Sequence, residues 1–246
     1  AGLSELEMCM ITKEIWKSPV MFEFGGHVEP ALYYCNEQQK EKYFYPIING
    51  EKRSCYAFTE PDTGSDLARI RTKAVKKGDR WVLNGNKTFI SKVNRADFCI
   101  VFASTEPSLG SKGISVFLVD LNSPGFRIVR EIDTMGDDWN PYELAFEDCE
   151  IPEENLLGEL NKGWEIANYQ LTHGRLRIAA KCLAIAEASL ELALAWAKER
   201  TTFGQRIADR QAIQWMLADS EVEILATELL IQKAAWLYDH KKNIRN

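Results

Sequence analysis

Tyr56-Ala57-Phe58-Thr59-Glu60-Pro61-Asp62-Thr63-Gly64-Ser65-Asp66 reads as a short apolar strand running straight into a polar loop. In such a loop Thr and Ser hydroxyls and freed backbone N–H groups can face a ligand, Pro61 stiffens the approach, and Gly64 permits close backbone contact. These are the properties of a loop that grips a polar ring or a phosphate. They are equally those of an ordinary connection between two strands, so the reading turns on what accompanies it.

Two further stretches accompany it. Trp81-Val82-Leu83-Asn84-Gly85-Asn86-Lys87-Thr88-Phe89-Ile90-Ser91 lays out a strand, an Asn-Gly turn and a second strand ending in an aromatic and a hydroxyl. Far downstream stands Glu199-Arg200-Thr201-Thr202-Phe203-Gly204. Around these, alternating and continuous apolar runs predict strands at 71–75, 81–83, 87–91, 98–103, 114–120, 126–129 and 142–147, with turns at Lys77-Gly78-Asp79 and Asn84-Gly85. Short strands at this spacing make a barrel or a small sandwich. Ser104 to Lys112 reads as a loop.

The flanks are helical. Leu6, Met10, Ile11 and Ile15 recur at helical spacing from Ser4 to about Trp16, with Glu5 and Glu7 in the first turn; because the pattern opens near Ala1, a leading segment is expected before it. A helical stretch is predicted over Pro30 to Cys35, and Asn36 caps another. After Ile151-Pro152-Glu153-Glu154-Asn155-Leu156-Leu157-Gly158 an Ala- and Leu-rich helix runs from about Gly163 to Glu199, and a second from near Asp209 past Tyr238. Two helices cannot bury such faces alone, so oligomer contacts or further sequence must cover them.

With 246 residues, 46% hydrophobic and 27% charged, the chain has the composition of an ordinary globular protein. A net charge of -6 argues against a general nucleic-acid binder and against steering to anionic membranes, although a solubilising surface explains it as well. Cys9, Cys35, Cys55, Cys99, Cys149 and Cys182 form no C-x-x-C pair and the three histidines lie far apart, so no metal site is expected. The cysteines read as buried reduced thiols of a cytosolic or matrix-like compartment, and no apolar run reaches membrane-spanning length.

Tyr56 to Asp66, Phe146-Glu147-Asp148-Cys149-Glu150-Ile151-Pro152 and Arg200 to Gly204, in this order, resemble the acyl-CoA dehydrogenase family of flavoproteins along the whole chain. The resemblance implies an α+β architecture: an N-terminal helical part over 1–53, a middle β-barrel domain over 54–158 and an incomplete C-terminal long-helix bundle over 159–246. It implies non-covalent FAD, a bacterial, archaeal or mitochondrial matrix setting, and α,β-dehydrogenation of an acyl-CoA thioester. It also implies a homotetramer or homodimer and electron transfer flavoprotein as acceptor.

Carried over residue by residue, Tyr56, Phe58, Thr59, Gly64 and Ser65 would form the flavin loop, with Thr59 on the ring and Ser65 near pyrophosphate and acyl-CoA. Fixed donors there suit a reduced flavin, which gathers negative charge at its pyrimidine end. Phe89, Ile90 and Ser91 match the segment against the ring, where the family usually has Trp and often Thr at the first and last of these positions. Ser111, Thr172 and Arg175 match contacts to the CoA portion, Thr172 replacing a frequent acidic residue. Arg200, Thr202, Phe203 and Gln211 match the motif that reaches a neighbouring subunit's FAD, although Arg200 near a helix C-terminus needs no ligand to be favourable.

Two further departures are visible. Met135-Gly136-Asp137-Asp138-Trp139-Asn140-Pro141 stands where many members show Met-Gly-x-Arg, which bears on acyl-chain specificity. The family's catalytic glutamate lies on a C-terminal segment or, in some members, on the long helix; the helix position corresponds to Gly174 and the other would lie beyond Asn246. The expectation is therefore a chain that keeps the flavin motifs without its base, its C-terminal helices being absent. Two alternatives stay open: a truncated homologue serving as an interaction module, and a flavin oxidase or monooxygenase of the same superfamily.

Overall fold

The computed structural model describes residues 2–18, 28–135 and 140–242. By proximity in space the chain divides into two compact units: Phe24–Gln170, and Ala1–Glu23 joined with Leu171–Asn246. The expected boundaries at 53/54 and 158/159 follow the order of elements along the chain, whereas this division follows contacts and separates at 23/24 and 170/171. Residues 136–139 of the altered Met-Gly motif lie outside the described residues.

In the sheet unit, eight strands form one mixed sheet: β1 Ser54–Ala57, β2 Lys73–Lys77, β3 Arg80–Ile90, β4 Phe98–Ser104, β5 Ile114–Asp120, β6 Phe126–Glu131, β7 Tyr142–Pro152 and β8 Leu156–Leu157. The pairing order is β6-β7-β3-β2-β4-β5-β8, with β1 running parallel beside β4. Cys55, Leu83, Val101, Phe117 and Phe146 share one apolar core, against which Phe126 of β6 and Leu156 of β8 also pack. The sheet thus curls around its own interior. β4 is buried along its whole length because its other face is covered too: Phe98 meets the ring of Tyr43 at 4.6 Å, and Phe102 stacks on Phe58 at 4.4 Å. A continuous apolar run rather than an alternating one is what such a doubly covered strand requires.

Asn84-Gly85 does not turn the chain; β3 runs unbroken from Arg80 to Ile90, and the expected hairpin is a bulge in the ladder to β7. Asn84 spends its side chain across that ladder, donating to Asp148 Oδ1 at 3.1 Å and accepting from Asp148 N–H at 2.9 Å. A Cβ on Gly85 would sit 2.6 Å from Thr72 Cα, so the glycine serves close strand approach.

Helical segments precede the sheet: a 3₁₀ turn at Pro30–Tyr34, then α2 Glu37–Gln39, a π turn at Lys40–Phe44 and α3 Tyr45–Ile48. Asn36 caps α2 in a capping box with Gln39, as its position predicts. The Gln39 side chain donates on to the carbonyls of Glu154 and Leu156, tying this segment to β8.

The helical unit consists of α1 Glu5–Trp16, most of α4 Gly163–Glu199, the small hairpin β9 Thr201–Thr202 and β10 Gln205–Arg206, and α5 Gln211–Asp239. α1 begins one residue after Ser4, which closes a capping box with Glu7. Cys9 of α1, Leu176, Ala180 and Leu183 of α4, and Ile231 and Ala235 of α5 form its core. Lys13 bonds Glu187 at 2.7 Å and Glu228 at 2.5 Å, stapling α1 to both long helices. Large apolar side chains on the long helices remain outside this core, among them Leu192 at 72% exposure and Met216 at 64%. Among the described residues no helix is long and apolar enough to cross a membrane, and no group of three or more His, Cys, Asp or Glu is placed to hold a metal. Five of the six cysteines are buried; Cys182 is exposed.

Candidate functional site

One backbone hydrogen bond organises the candidate residues of the sheet unit: Thr88 N–H donates to the Thr59 carbonyl at 3.0 Å. It sets the loop that follows β1 beside the end of β3. Thr59 is half-buried, and its hydroxyl has no partner among the described residues. Phe89 carries φ 57° in an otherwise extended strand and is 61% exposed, whereas Ile90 beside it is buried in the core. A bulky residue held in the left-handed region costs on the order of 1–3 kcal/mol and persists only where its surroundings impose it. Here the twist turns the aromatic ring outward. Ser91 follows, exposed.

Gly64 and Ser65 are exposed, and a Cβ at Gly64 would meet nothing within 4 Å, so no protein atom demands a glycine there. The 3₁₀ turn Leu67–Arg69 that follows touches the 3₁₀ turn Pro107–Gly113, which contains Ser111. Phe58 is buried, stacked on Phe102 and edge-on to Trp164 at 6.4 Å, so it supports the loop from behind. Tyr56 packs against Phe102 at 5.0 Å; its hydroxyl is buried with no hydrogen-bond partner among the described residues. Burial, with the charge of Glu29, pushes that phenol well above its ordinary value.

Sequence reasoning passed over the group beneath this surface. Lys87 is fully buried and its ammonium donates to the Phe58 carbonyl at 3.0 Å and to Glu60 Oε1 at 2.8 Å. The Glu60 carboxylate also accepts the N–H groups of Arg71 at 2.5 Å and Thr72 at 3.0 Å. Burial lowers Lys87 to about 8 against the partial opposition of Glu60's charge and hydrogen bond. For Glu60 burial works upward, but the charge and hydrogen bond of Lys87, with the Thr72 and Arg71 donors, hold its carboxyl below the ordinary value. The signal was present in strand parity: counted along β3, Lys87 falls in step with the inward Trp81 and Leu83.

In the helical unit the candidates fall into two groups. Thr172 and Arg175 lie early on α4, Thr172 half-buried and Arg175 exposed. Gly174 between them has space for a side chain, since a Cβ there meets nothing within 4 Å. Arg200, Thr202, Phe203 and Gln211 lie past the far end of that helix. At about 1.5 Å of rise per residue, roughly 36 Å of helix separates the two groups, so this unit does not bring them together.

The second group is built on a two-residue hairpin. Thr202 pairs with Gln205, and Phe203 and Gly204 take φ 52° and 74°, the tight turn whose twist suits adjoining strands. Phe203 at its tip is 99% exposed. Arg210, another residue the sequence did not single out, donates to the Thr202 carbonyl at 2.8 Å and to its hydroxyl at 2.7 Å, and holds its guanidinium 5.7 Å from the Phe203 ring centre.

Two family models match the chain: acyl-CoA dehydrogenase, middle domain, over residues 55–149, and acyl-CoA dehydrogenase, C-terminal domain, over residues 161–246. The chain is 43% identical over 215 residues to the CarC subunit of the caffeyl-CoA reductase–Etf complex of Acetobacterium woodii, covering 87% of this chain and 57% of that one. It is 42% identical over 217 residues to the mitochondrial short-chain specific acyl-CoA dehydrogenase of Mus musculus, covering 88% of this chain and 53% of the relative. Butyryl-CoA dehydrogenase from Megasphaera elsdenii superposes with a TM-score of 0.88 at 34% identity, over 99% of this chain and 66% of that structure. The chain thus spans little more than half the length of the curated relatives it matches. Members of the family are flavoproteins that use FAD. Helices, sheet and long helices follow one another in the family's order, both models fall on the segments the motifs marked, and the chain belongs to the acyl-CoA dehydrogenase family.

Proposed function

We propose that this chain is the flavin-binding part of an FAD-dependent acyl-CoA dehydrogenase that acts on the Cα–Cβ bond of an acyl-CoA thioester. The observation that carries the reading is the pairing of a free Thr59 hydroxyl with an outward-turned Phe89, fixed by the Thr88–Thr59 hydrogen bond. Bound FAD would supply the hydride acceptor. The chain's own groups do the rest of what is proposed. Thr59 donates to the polar edge of the ring, Phe89 and Ile90 exclude water from its face, and Ser91 adds a hydroxyl beside it. The unobstructed backbone at Gly64 fits a polar ligand lying over the loop. Ser65, just before the first of the two touching turns, and Ser111, within the second, are the hydroxyls assigned to phosphate or thioester oxygens.

On the helical unit, Thr172 and the exposed guanidinium of Arg175 suit the anionic CoA portion. The distance along α4 supports assigning Arg200, Thr202, Phe203 and Gln211 to the cofactor of a second copy, hence a homodimer or homotetramer. Electron transfer flavoprotein is the proposed acceptor; one relative is named as a subunit of a complex with Etf. Gly174 carries no group able to accept a proton, so the residues named here bind and orient.

The test is anaerobic addition of acyl-CoA thioesters, short straight-chain and aryl-propionyl, to the FAD-loaded protein with the flavin absorbance followed. Because the residues named here supply no base, a shift of the flavin band on thioester binding is expected rather than full bleaching; a bound flavin whose band no thioester perturbs contradicts the assignment, and rapid peroxide formation in air points instead to an oxidase. The name of the A. woodii relative favours a second reading, reduction of an enoyl-CoA. Reoxidation of chemically reduced flavin by an arylacrylyl-CoA would select it.

A further inference from the structure

Lys87 and Glu60 form an interior ion pair at the meeting of three segments: the loop after β1, the lead into β2, and β3. Both bonds of the ammonium flank Thr59 of the candidate surface. The ammonium holds the carbonyl of Phe58 on one side of Thr59 and the side chain of Glu60 on the other. Thr88, next to Lys87, holds the carbonyl of Thr59 itself, and the residue after Thr88 is Phe89. Glu60 completes the frame by fixing Arg71 and Thr72 through their backbone N–H groups and by a two-way backbone bridge to Thr63.

Stability alone gives a poor reason for such a pair. Taking two charges out of water costs several kcal/mol per ion, and well-packed apolar replacements are often neutral or stabilising. Lys87 carries that cost visibly, since burial brings it down to about 8 with the carboxylate beside it. What an apolar pair does not supply is direction. Two donors on one ammonium and several acceptors on one carboxylate fix the backbone of 58–60 against 87–88 in a single geometry.

We propose that Lys87 and Glu60 are a positioning pair that sets the distance and orientation between the Thr59 hydroxyl and the Phe89 ring, and with them how a flat polar ligand is received. The role rests on the flavin reading of that surface. Neither side chain touches the ligand; both act through Thr59 and Phe89.

The experiment compares the full 246-residue chain with its Lys87→Met/Glu60→Gln variant, which removes both charges together and so leaves no lone buried ion. Urea unfolding should give midpoints close to one another. FAD affinity, from flavin fluorescence, should fall by about tenfold or more in the variant, and the visible band of any bound flavin should change shape, because the Thr59 donor and the Phe89 ring are no longer held in one geometry. Equal affinity with an unchanged band overturns the proposal. Should the parent chain take up no FAD, the flavin reading fails by itself. The pair is then judged by amide hydrogen exchange: about tenfold faster exchange at Thr88 and over 59–66, with β4 and β5 unchanged, supports positioning, and identical exchange refutes it.

Discussion

Glu60 in the sheet unit and Glu5 in the helical unit are equally buried, each 5% exposed, yet they are satisfied in different ways. Glu60 faces the entry of a strand, where the N–H groups of Arg71 and Thr72 are not yet committed to a ladder, and it adds Lys87 at 2.8 Å. Glu5 opens α1, where the free first-turn N–H groups of Glu5 and Leu6 go to Asp239 and that of Glu7 to Ser4, so side chains must serve its carboxylate. His173 does so at 2.5 Å, but Arg177 stays 3.6 Å away, and neither Glu5 Oε1 nor Arg177 Nε makes a hydrogen bond among the described residues. Glu60 draws on uncommitted backbone donors at a strand entry; Glu5 does without them because Asp239 and Ser4 have taken those nearest to it.

Removing the cation should break the two cages unequally. Lys87→Met leaves Glu60 buried without its counter-charge and should cost about 3–5 kcal/mol in urea unfolding. Arg177→Met, at a longer and partly exposed contact, should cost no more than about 1 kcal/mol. Equal losses would remove the distinction.

The pH dependence sharpens it. Lys87 lies at about 8 in the folded protein against an ordinary 10.5, so between these values the unfolded chain holds a proton that the folded one has released. Stability should therefore gain roughly 3 kcal/mol as pH rises through that window, and Lys87→Met should flatten the rise. Glu60 works at the other end: held below its ordinary 4.5, its contribution is complete above that value and is lost as pH falls through the lower folded one. Glu60→Gln should remove part of the acid limb.

A smaller effect belongs to another carboxylate of the helical unit. Asp239 accepts the N–H groups of Glu5 at 2.8 Å and Leu6 at 3.1 Å, so it caps α1 from the end of α5. Asp239→Ala should cost about 1–2 kcal/mol and speed amide exchange in the first turn of α1. The smallest is Gly174→Ala: with open space at the Cβ, helix propensity alone should add about 0.5–1 kcal/mol of stability.

The sequence made some of this legible and hid the rest for identifiable reasons. Helix α4 was readable end to end because its apolar pattern is long, and Ser4 and Asn36 announced their caps by residue type. Asn84-Gly85 misled because the same dipeptide that favours a tight turn also suits a bulge; what decides is Asp148 across the ladder, with φ 46°, which no local pattern reveals. Thr59 and Phe89 were found through resemblance, but their proximity depends on a hydrogen bond between residues distant in the chain. Lys87 was hidden because a lysine beside Asn86 and Thr88 reads as solvated surface; only its step with Trp81 and Leu83 placed it inside.

The most direct measurement is titration of the purified 246-residue chain with FAD, following flavin fluorescence and the visible band after removal of excess cofactor. The account predicts saturable uptake, a yellow protein, and a band altered from that of free FAD by Thr59 and Phe89. A folded chain that stays colourless, or flavin bound with unchanged affinity after Thr59→Val and Phe89→Ala, would contradict it.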